Sequence, residues 1–191
     1  MISKKKENMN WGKSIKTFPK VYIPQDCEEI KKIINNKKNF LIQGNLRSYG
    51  DNALNKNLVI STQNLNKVIK FDEKKGTIEA ESGILLSDLL KIITLKGWFM
   101  PVNPGTKYVS LGGMIANNVH GKNTYKNQIK YYVKKLKLIV SNKEIICSKT
   151  KNKKLFNLTI GGFGLTGAIL SITLKLKKIH SENIEQKVIE F

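Results

Sequence analysis

The stretch Gln43-Gly44-Asn45-Leu46-Arg47-Ser48-Tyr49-Gly50-Asp51 follows the apolar run Phe40-Leu41-Ile42, so a short buried strand delivers the chain into a glycine-containing loop. Glycine lets a backbone approach a ligand closely. Successive N–H groups in such a loop converge on an anion, and Arg47 and Ser48 add donors suited to phosphate. Two further stretches repeat the pattern. Leu111-Gly112-Gly113-Met114-Ile115-Ala116-Asn117-Asn118-Val119-His120-Gly121 reads as a short helix opened by Gly112-Gly113, whose first N–H groups would face negative charge. Gly161-Gly162-Phe163-Gly164-Leu165-Thr166-Gly167 carries four glycines in seven residues. One such loop is weak grounds, because glycines cap helices and make turns in every fold; three in one basic chain point to a phosphate-bearing ligand. No G-x-G-x-x-G stands in the strand, turn and long-helix setting of a dinucleotide fold, and no G-x-x-x-x-G-K-[ST] occurs. Those two folds are therefore excluded as the holder.

Outward from the loops, residues 1–20 are polar and basic with Trp11 and Phe18 as isolated anchors, and are expected to form a mobile arm. Pro24-Gln25-Asp26 and two glutamates start a helix that buries Ile30, Ile33 and Ile34 and ends at Asn35-Asn36. Strands are expected at 58–61, 68–72 and 77–81, the last two joined by Lys74-Lys75-Gly76 as a hairpin. Ser87 is expected to cap a helix over 88–96 that Gly97 closes. A Pro/Gly-rich loop spans 100–106. A second hairpin pairs 133–140 with 143–147, a helical turn covers 155–158, and a strand covers 168–177. Val188-Ile189-Glu190-Phe191 reads as the opening of another strand. The order predicts an α+β fold: a basic arm (1–20), one lobe (21–107), a second lobe (108–180), and the start of a further domain (181–191).

The net charge of +20 over 191 residues favours acidic partners: nucleic acid, anionic lipid or phosphorylated ligands. The lysines are scattered among Asn and Ile, which also fits a plain solvated basic surface. Cys27 and Cys147 are far apart, without C-x-x-C, and only His120 and His180 occur, so neither a disulfide framework nor a metal site is expected. The basic N-terminus precedes no apolar stretch, and no run approaches the roughly 20 apolar residues of a membrane helix. A soluble, cytoplasmic protein is expected, able to lie against a membrane surface. Nucleic acid is not expected as a partner: no binding motif is present, and the aromatics do not interleave with the lysines.

The loop sequences carry a resemblance. Arg47-Ser48-Tyr49-Gly50-Asp51-Asn52-Ala53-Leu54-Asn55 resembles the phosphate-binding loop of the vanillyl-alcohol-oxidase (PCMH-type) FAD-binding domain. Pro104-Gly105-Thr106 with residues 111–123 is similar to its second signature, and residues 161–169 to its third. The R-S-Y-G-D and H-G-K-N pieces are most like the decaprenylphosphoryl-ribose oxidase branch. The resemblance covers roughly residues 20–180. It implies a two-lobed domain with FAD between the lobes and a flavin oxidoreductase acting on a CH–OH group, such as that of a polyprenyl-phosphate sugar. By position, Ile42, Gln43, Gly44, Asn45, Leu46, Arg47, Ser48, Tyr49, Gly50, Asp51 and Asn52 would wrap the pyrophosphate. Gly105, Ser110, Gly112 and Gly113 would line the flavin side, with Thr106, Leu111 and Gly167 completing the contacts. Asn117 and His120 would sit near the isoalloxazine, and the Ile169 backbone at the adenine end.

Many members attach FAD through a histidine in the first loop; Tyr49 stands there, so the resemblance implies non-covalent FAD. Leu46 replaces a glycine of the branch pattern, and if the position needs positive φ the strain is about 1 kcal/mol or more. Family members carry a C-terminal cap domain that supplies much of the substrate site, and the sequence stops where that domain would begin. A fragment, a split-gene product with a separate cap-domain chain, and a truncated relative all fit. A flavin-binding module that lacks turnover of its own is the alternative reading. In the catalytic reading His120 helps remove the hydroxyl proton, and Lys122 holds a phosphate or a flavin carbonyl. Otherwise His120 is a helix-end residue bonded to backbone and Lys122 one more surface lysine. Trp98 and Cys147 read as core.

Overall fold

The computed structural model describes residues 2–37, 39–122, 126–181, 183 and 187. The fold is α+β, built on two main sheets. The first contains β1 (Ile2–Lys5), β4 (Lys20–Ile23), β5 (Phe40–Gln43) and β6 (Leu58–Ser61) in the order β1-β4-β6-β5. The strands β4 and β5 both run parallel to β6, and β1 is antiparallel to β4. Helix α1 (Cys27–Asn36) makes the crossover from β4 to β5. Its N-cap is Asp26, whose carboxylate accepts the Glu29 N–H at 2.8 Å, and it buries Ile30 and Ile33.

The second sheet is antiparallel. It contains β7 (Val68–Asp72), β8 (Thr77–Glu81), β10 (Val133–Val140), β11 (Lys143–Ser148) and β12 (Ala168–Lys175) in the order β11-β10-β12-β8-β7. Helices α2 (Leu86–Thr94) and α3 (Leu111–Ala116) pack on one of its faces through Leu89, Ile93, Met114 and Ile115, against Ile169, Ile172 and Leu174 of β12. Ala168 and Leu170, from the opposite face of β12, join Ile30, Ile33 and Ile60 in the second cluster. Simple alternation would put these two on the same face as Ile172 and Leu174; the register shift between the pairs Lys137↔Ser171 and Leu138↔Ile169 leaves Leu170 as an extra residue and lets one strand serve both cores. Glu144 of β11 also reaches α1, accepting from Lys31 at 2.7 Å while Lys137 holds it at 2.7 Å.

Several elements depart from the expectation. Residues 2–20 are not a mobile arm: β1 pairs with β4 from Ile2↔Ile23 to Lys5↔Lys20, and β2 (Asn8–Met9) forms a hairpin with β3 (Lys16–Thr17). Their order comes from backbone pairing, which a polar side-chain pattern does not reveal. Ser87 is no cap. It lies buried in the first turn of α2, where the N–H groups of Leu86 and Ser87 donate to the carbonyls of Val109 and Lys107, so the opening is satisfied by a neighbouring segment. The helix expected to reach Gly121 stops at Ala116. Its C-terminal carbonyls accept from the third glycine loop, Gly161 N–H to Ile115 and Phe163 N–H to Ala116, and Asn118 turns to φ 43°. Two short elements, β9 (Trp98–Phe99) and β13 (Lys177–Lys178), pair with each other, and α4 (Lys153–Thr159) precedes the third loop. The strand expected at 188–191 lies outside the described residues.

Candidate functional site

A cavity of about 580 Å3 opens where the first loop, the segment before α3, α3 itself and the third loop meet. Gln43 fixes the base of the first loop: its amide donates to the Ala53 carbonyl at 2.6 Å, and its own carbonyl accepts from both the N–H and the hydroxyl of Thr62. The two ends of the loop are thereby drawn together. Among the described residues, the N–H groups of Asn45 to Asn52 make no intramolecular hydrogen bond. Such a run of free amides, with Leu46 in the left-handed region at φ 52°, is the backbone arrangement that accepts an anion.

Three contacts join this loop to the second glycine stretch. Asn45 donates to the Tyr108 carbonyl at 2.7 Å, Asn52 donates to Asn117 at 3.2 Å, and Gly44 lies directly against Ser110. The start of α3 does not behave as the sequence suggested. The Gly112 N–H donates to the Ser82 carbonyl at 2.7 Å, the Leu111 N–H to the Ile84 carbonyl, and the Gly113 N–H to the Ser110 hydroxyl. These amides are committed within the protein and are not free for an anion. What Gly112 provides is close packing: a Cβ there would stand 2.9 Å from the Ser82 Cβ.

Most residues singled out from the sequence face this one cavity: Ile42, Gly44, Asn45, Leu46, Arg47, Ser48, Tyr49, Gly50 and Asn52 from the first loop, and Gly105, Thr106, Ser110, Gly112, Gly113 and Asn117 from the second stretch. Gly167 and Ile169 join them from the third. Gln43, Asp51 and Leu111 do not line it; Gln43 and Leu111 are buried behind it and Asp51 is exposed. His120 and Lys122 are also exposed and off the cavity wall, and the backbone of His120 bridges to that of Gln128. Val119, immediately before His120, does line the cavity.

The structure adds residues that the sequence reading left out. Met114, Val119 and Phe163 give the wall an apolar stretch, Ser82 lies at its floor, and Trp11 reaches it from the N-terminal hairpin. The Trp11 N–H donates to the Ser48 carbonyl at 2.9 Å, and the Asn10 amide donates to the Tyr49 carbonyl at 2.5 Å. Among the described residues, Arg47 is the only charged one on the wall, and no carboxylate lines it. It is also the single arginine among 34 basic residues, a signal that was available in the sequence. Its guanidinium carbon lies 4.5 Å from the Trp11 ring centre and 6.0 Å from that of Tyr108. Among the described residues, two buried polar atoms on the wall have no partner, Arg47 Nε and Ser82 Oγ. Buried donors of this kind are normally satisfied. Together with the free amides they suit a ligand that carries anionic oxygens at one end and flat apolar rings elsewhere.

Residues 19–147 match the family model described as an FAD binding domain. The chain is 32% identical over 180 residues to decaprenylphosphoryl-beta-D-ribose oxidase of Mycolicibacterium smegmatis, which covers 90% of this chain and 39% of that protein. It is 27% identical over 172 residues to L-gulonolactone oxidase of Scyliorhinus torazame, covering 87% and 39%. To D-lactate dehydrogenase of Anaerostipes hadrus it is 32% identical over 126 residues, covering 62% and 26%. The chain thus spans 39% or less of the length of these relatives.

Proposed function

This chain belongs to the PCMH-type FAD-binding family, and on that premise we propose that the cavity holds FAD between two lobes as part of an oxidoreductase acting on a CH–OH group. The observation that carries the reading is the wall itself, where unbonded amides and one guanidinium adjoin an apolar lining. The amides of residues 45–52, the Ser48 hydroxyl and Arg47 hold the diphosphate, and the Ser82 hydroxyl supplies a further donor. Met114, Val119 and Phe163 flank the flavin rings, with Ile169 at the adenine end. FAD, when bound, supplies the acceptor for a hydride from the carbon that bears the hydroxyl.

The protein's own part is to orient, desolvate and manage a proton. Attachment is non-covalent, because the Tyr49 phenol cannot form the histidyl bond used by other members. The exposed imidazole of His120, one residue beyond the wall, takes up the proton of the substrate hydroxyl. Lys122 receives an anionic part of the substrate. A polyprenyl-phosphate sugar is the favoured substrate class. The net charge of +20 supports it, as does similarity to an oxidase named for decaprenylphosphoryl ribose. The same charge supports contact with an anionic membrane surface.

The test is to load the chain with FAD, remove the excess by gel filtration, and add donors without oxygen while following flavin absorbance. Bleaching by a polyprenyl-phosphate sugar, but not by the free sugar or D-lactate, is expected. Unchanged absorbance with every donor would contradict the oxidoreductase reading, and a colourless protein after filtration would contradict the FAD site.

A further inference from the structure

The guanidinium of Arg47 is held from two sides by segments distant in sequence. Trp11 comes from the hairpin of β2 and β3, which Asn10 braces internally through Ser14 Oγ at 3.0 Å and the Ile15 N–H at 3.1 Å. Tyr108 comes from the segment before α3, and Asn45 ties its carbonyl back to the first loop. The close Trp11 ring, with Tyr108 farther off, restrains a flat cation while leaving edge N–H groups free to donate. An ammonium has no plane to stack and no fork of donors. In a chain whose other 33 basic residues are all lysine, the one arginine beside these rings marks a place where the guanidinium plane is needed. Among the described residues no carboxylate lines the wall, so none of them gives that cation a counter-charge there.

We infer that Trp11 is a positioning residue for phosphoryl recognition: it fixes the Arg47 guanidinium so that its edge donates to the diphosphate of the cofactor, which makes the N-terminal hairpin part of the cofactor site. The inference rests on the FAD reading above and adds a segment that lies outside the matched residues 19–147. The Trp11 ring acts through Arg47, while its backbone N–H holds the Ser48 carbonyl whatever the side chain; the ring therefore governs the affinity for the phosphate-bearing part of a flavin and not for the flavin ring.

The experiment measures FAD and riboflavin binding by flavin emission in the full chain and in Trp11→Ala, Trp11→Phe and Arg47→Lys, with thermal melts as a check on folding. Trp11→Ala and Arg47→Lys should each weaken FAD about tenfold and change riboflavin by no more than about twofold. Trp11→Phe should recover most of the loss, and the Trp11→Ala, Arg47→Lys double variant should lose little beyond either single change, since both remove one contact. Inorganic diphosphate alone should alter tryptophan emission in the unaltered chain and not in Arg47→Lys. Arg47→Lys keeps Trp11 and the backbone bonds of the hairpin, so it still reads the guanidinium contact if Trp11→Ala fails to fold. Undiminished FAD binding in Trp11→Ala, or equal loss of FAD and riboflavin, would overturn the inference while leaving the FAD reading in place. So would undiminished FAD binding with weakened binding of a phosphorylated sugar, which would assign Arg47 to the substrate. Failure of the unaltered chain to bind FAD would overturn both.

Discussion

A Cβ on Gly44 would stand 2.2 Å from the hydroxyl oxygen of Ser110. That oxygen is the N-cap of α3, accepting the Gly113 N–H. One glycine therefore sets both the approach of the first loop to the second and the opening of the helix beneath the cavity. In Gly44→Ala the serine must rotate away and give up its cap, at a cost of about 1 kcal/mol. Chemical denaturation of Gly44→Ala in the natural and Ser110→Ala backgrounds checks this. The alanine should cost clearly less where the hydroxyl is already gone, and equal costs would refute the contact.

Leu46 sits at φ 52°, where a glycine would be relaxed. Leu46→Gly should therefore hold or raise the melting temperature despite the added freedom of the unfolded chain, by up to about 1 kcal/mol or roughly 2–4 °C. Leu46→Val should lower it, because a branched Cβ is still less tolerant of that backbone. In thermal melts Leu46→Val should fall below the unaltered chain and Leu46→Gly should not.

Glu144 is held below the ordinary carboxylate range by hydrogen bonds first from Lys137 and then from Lys31. A lowered folded value contributes stability that is complete above the unfolded value of about 4.3 and is lost as pH falls through the folded value. Glu144→Gln should cost about 1 kcal/mol at neutral pH, and the gap to the unaltered chain should close with acidification. Melts at stepped pH would show a constant gap if Glu144 were simply solvated.

The Cys147 thiol is pushed up to about 11 by burial, and that of Cys27 is raised chiefly by burial and then by Glu81. Both cysteines are free. A thiol reagent at mildly alkaline pH should leave Cys147 untouched in the folded protein and modify it on unfolding. Rapid labelling of Cys147 in the native state would contradict its place in the core.

Much of this was legible from local pattern. The spans Leu58–Ser61, Val68–Asp72 and Thr77–Glu81 fall where apolar runs and a Lys-Lys-Gly turn put them. The positive φ at Leu46 was raised as a condition by the resemblance, whose branch pattern has a glycine there, and not by local pattern. What escaped was set by partners distant in sequence. The early end of α3 depends on N–H groups of the third loop, and the opening of α2 on carbonyls of residues 107 and 109. The N-terminal hairpin is held by backbone bonds and a Trp11–Arg47 stack, neither of which leaves an alternating pattern in polar sequence. At the site, glycines marked where the segments converge but not which amides are free. Those of the first loop are, whereas those of Leu111, Gly112 and Gly113 are already used.

That contrast supplies the most direct measurement. Hydrogen exchange, read by mass spectrometry with and without FAD, reports on the amides themselves. Without FAD the N–H groups of residues 45–52, which have no partner among the described residues, should exchange fast, and those of Leu111 and Gly112 should be protected. Added FAD should slow residues 45–52 strongly and leave α1 unchanged. Uptake of FAD with no added protection over residues 45–52 would contradict the account.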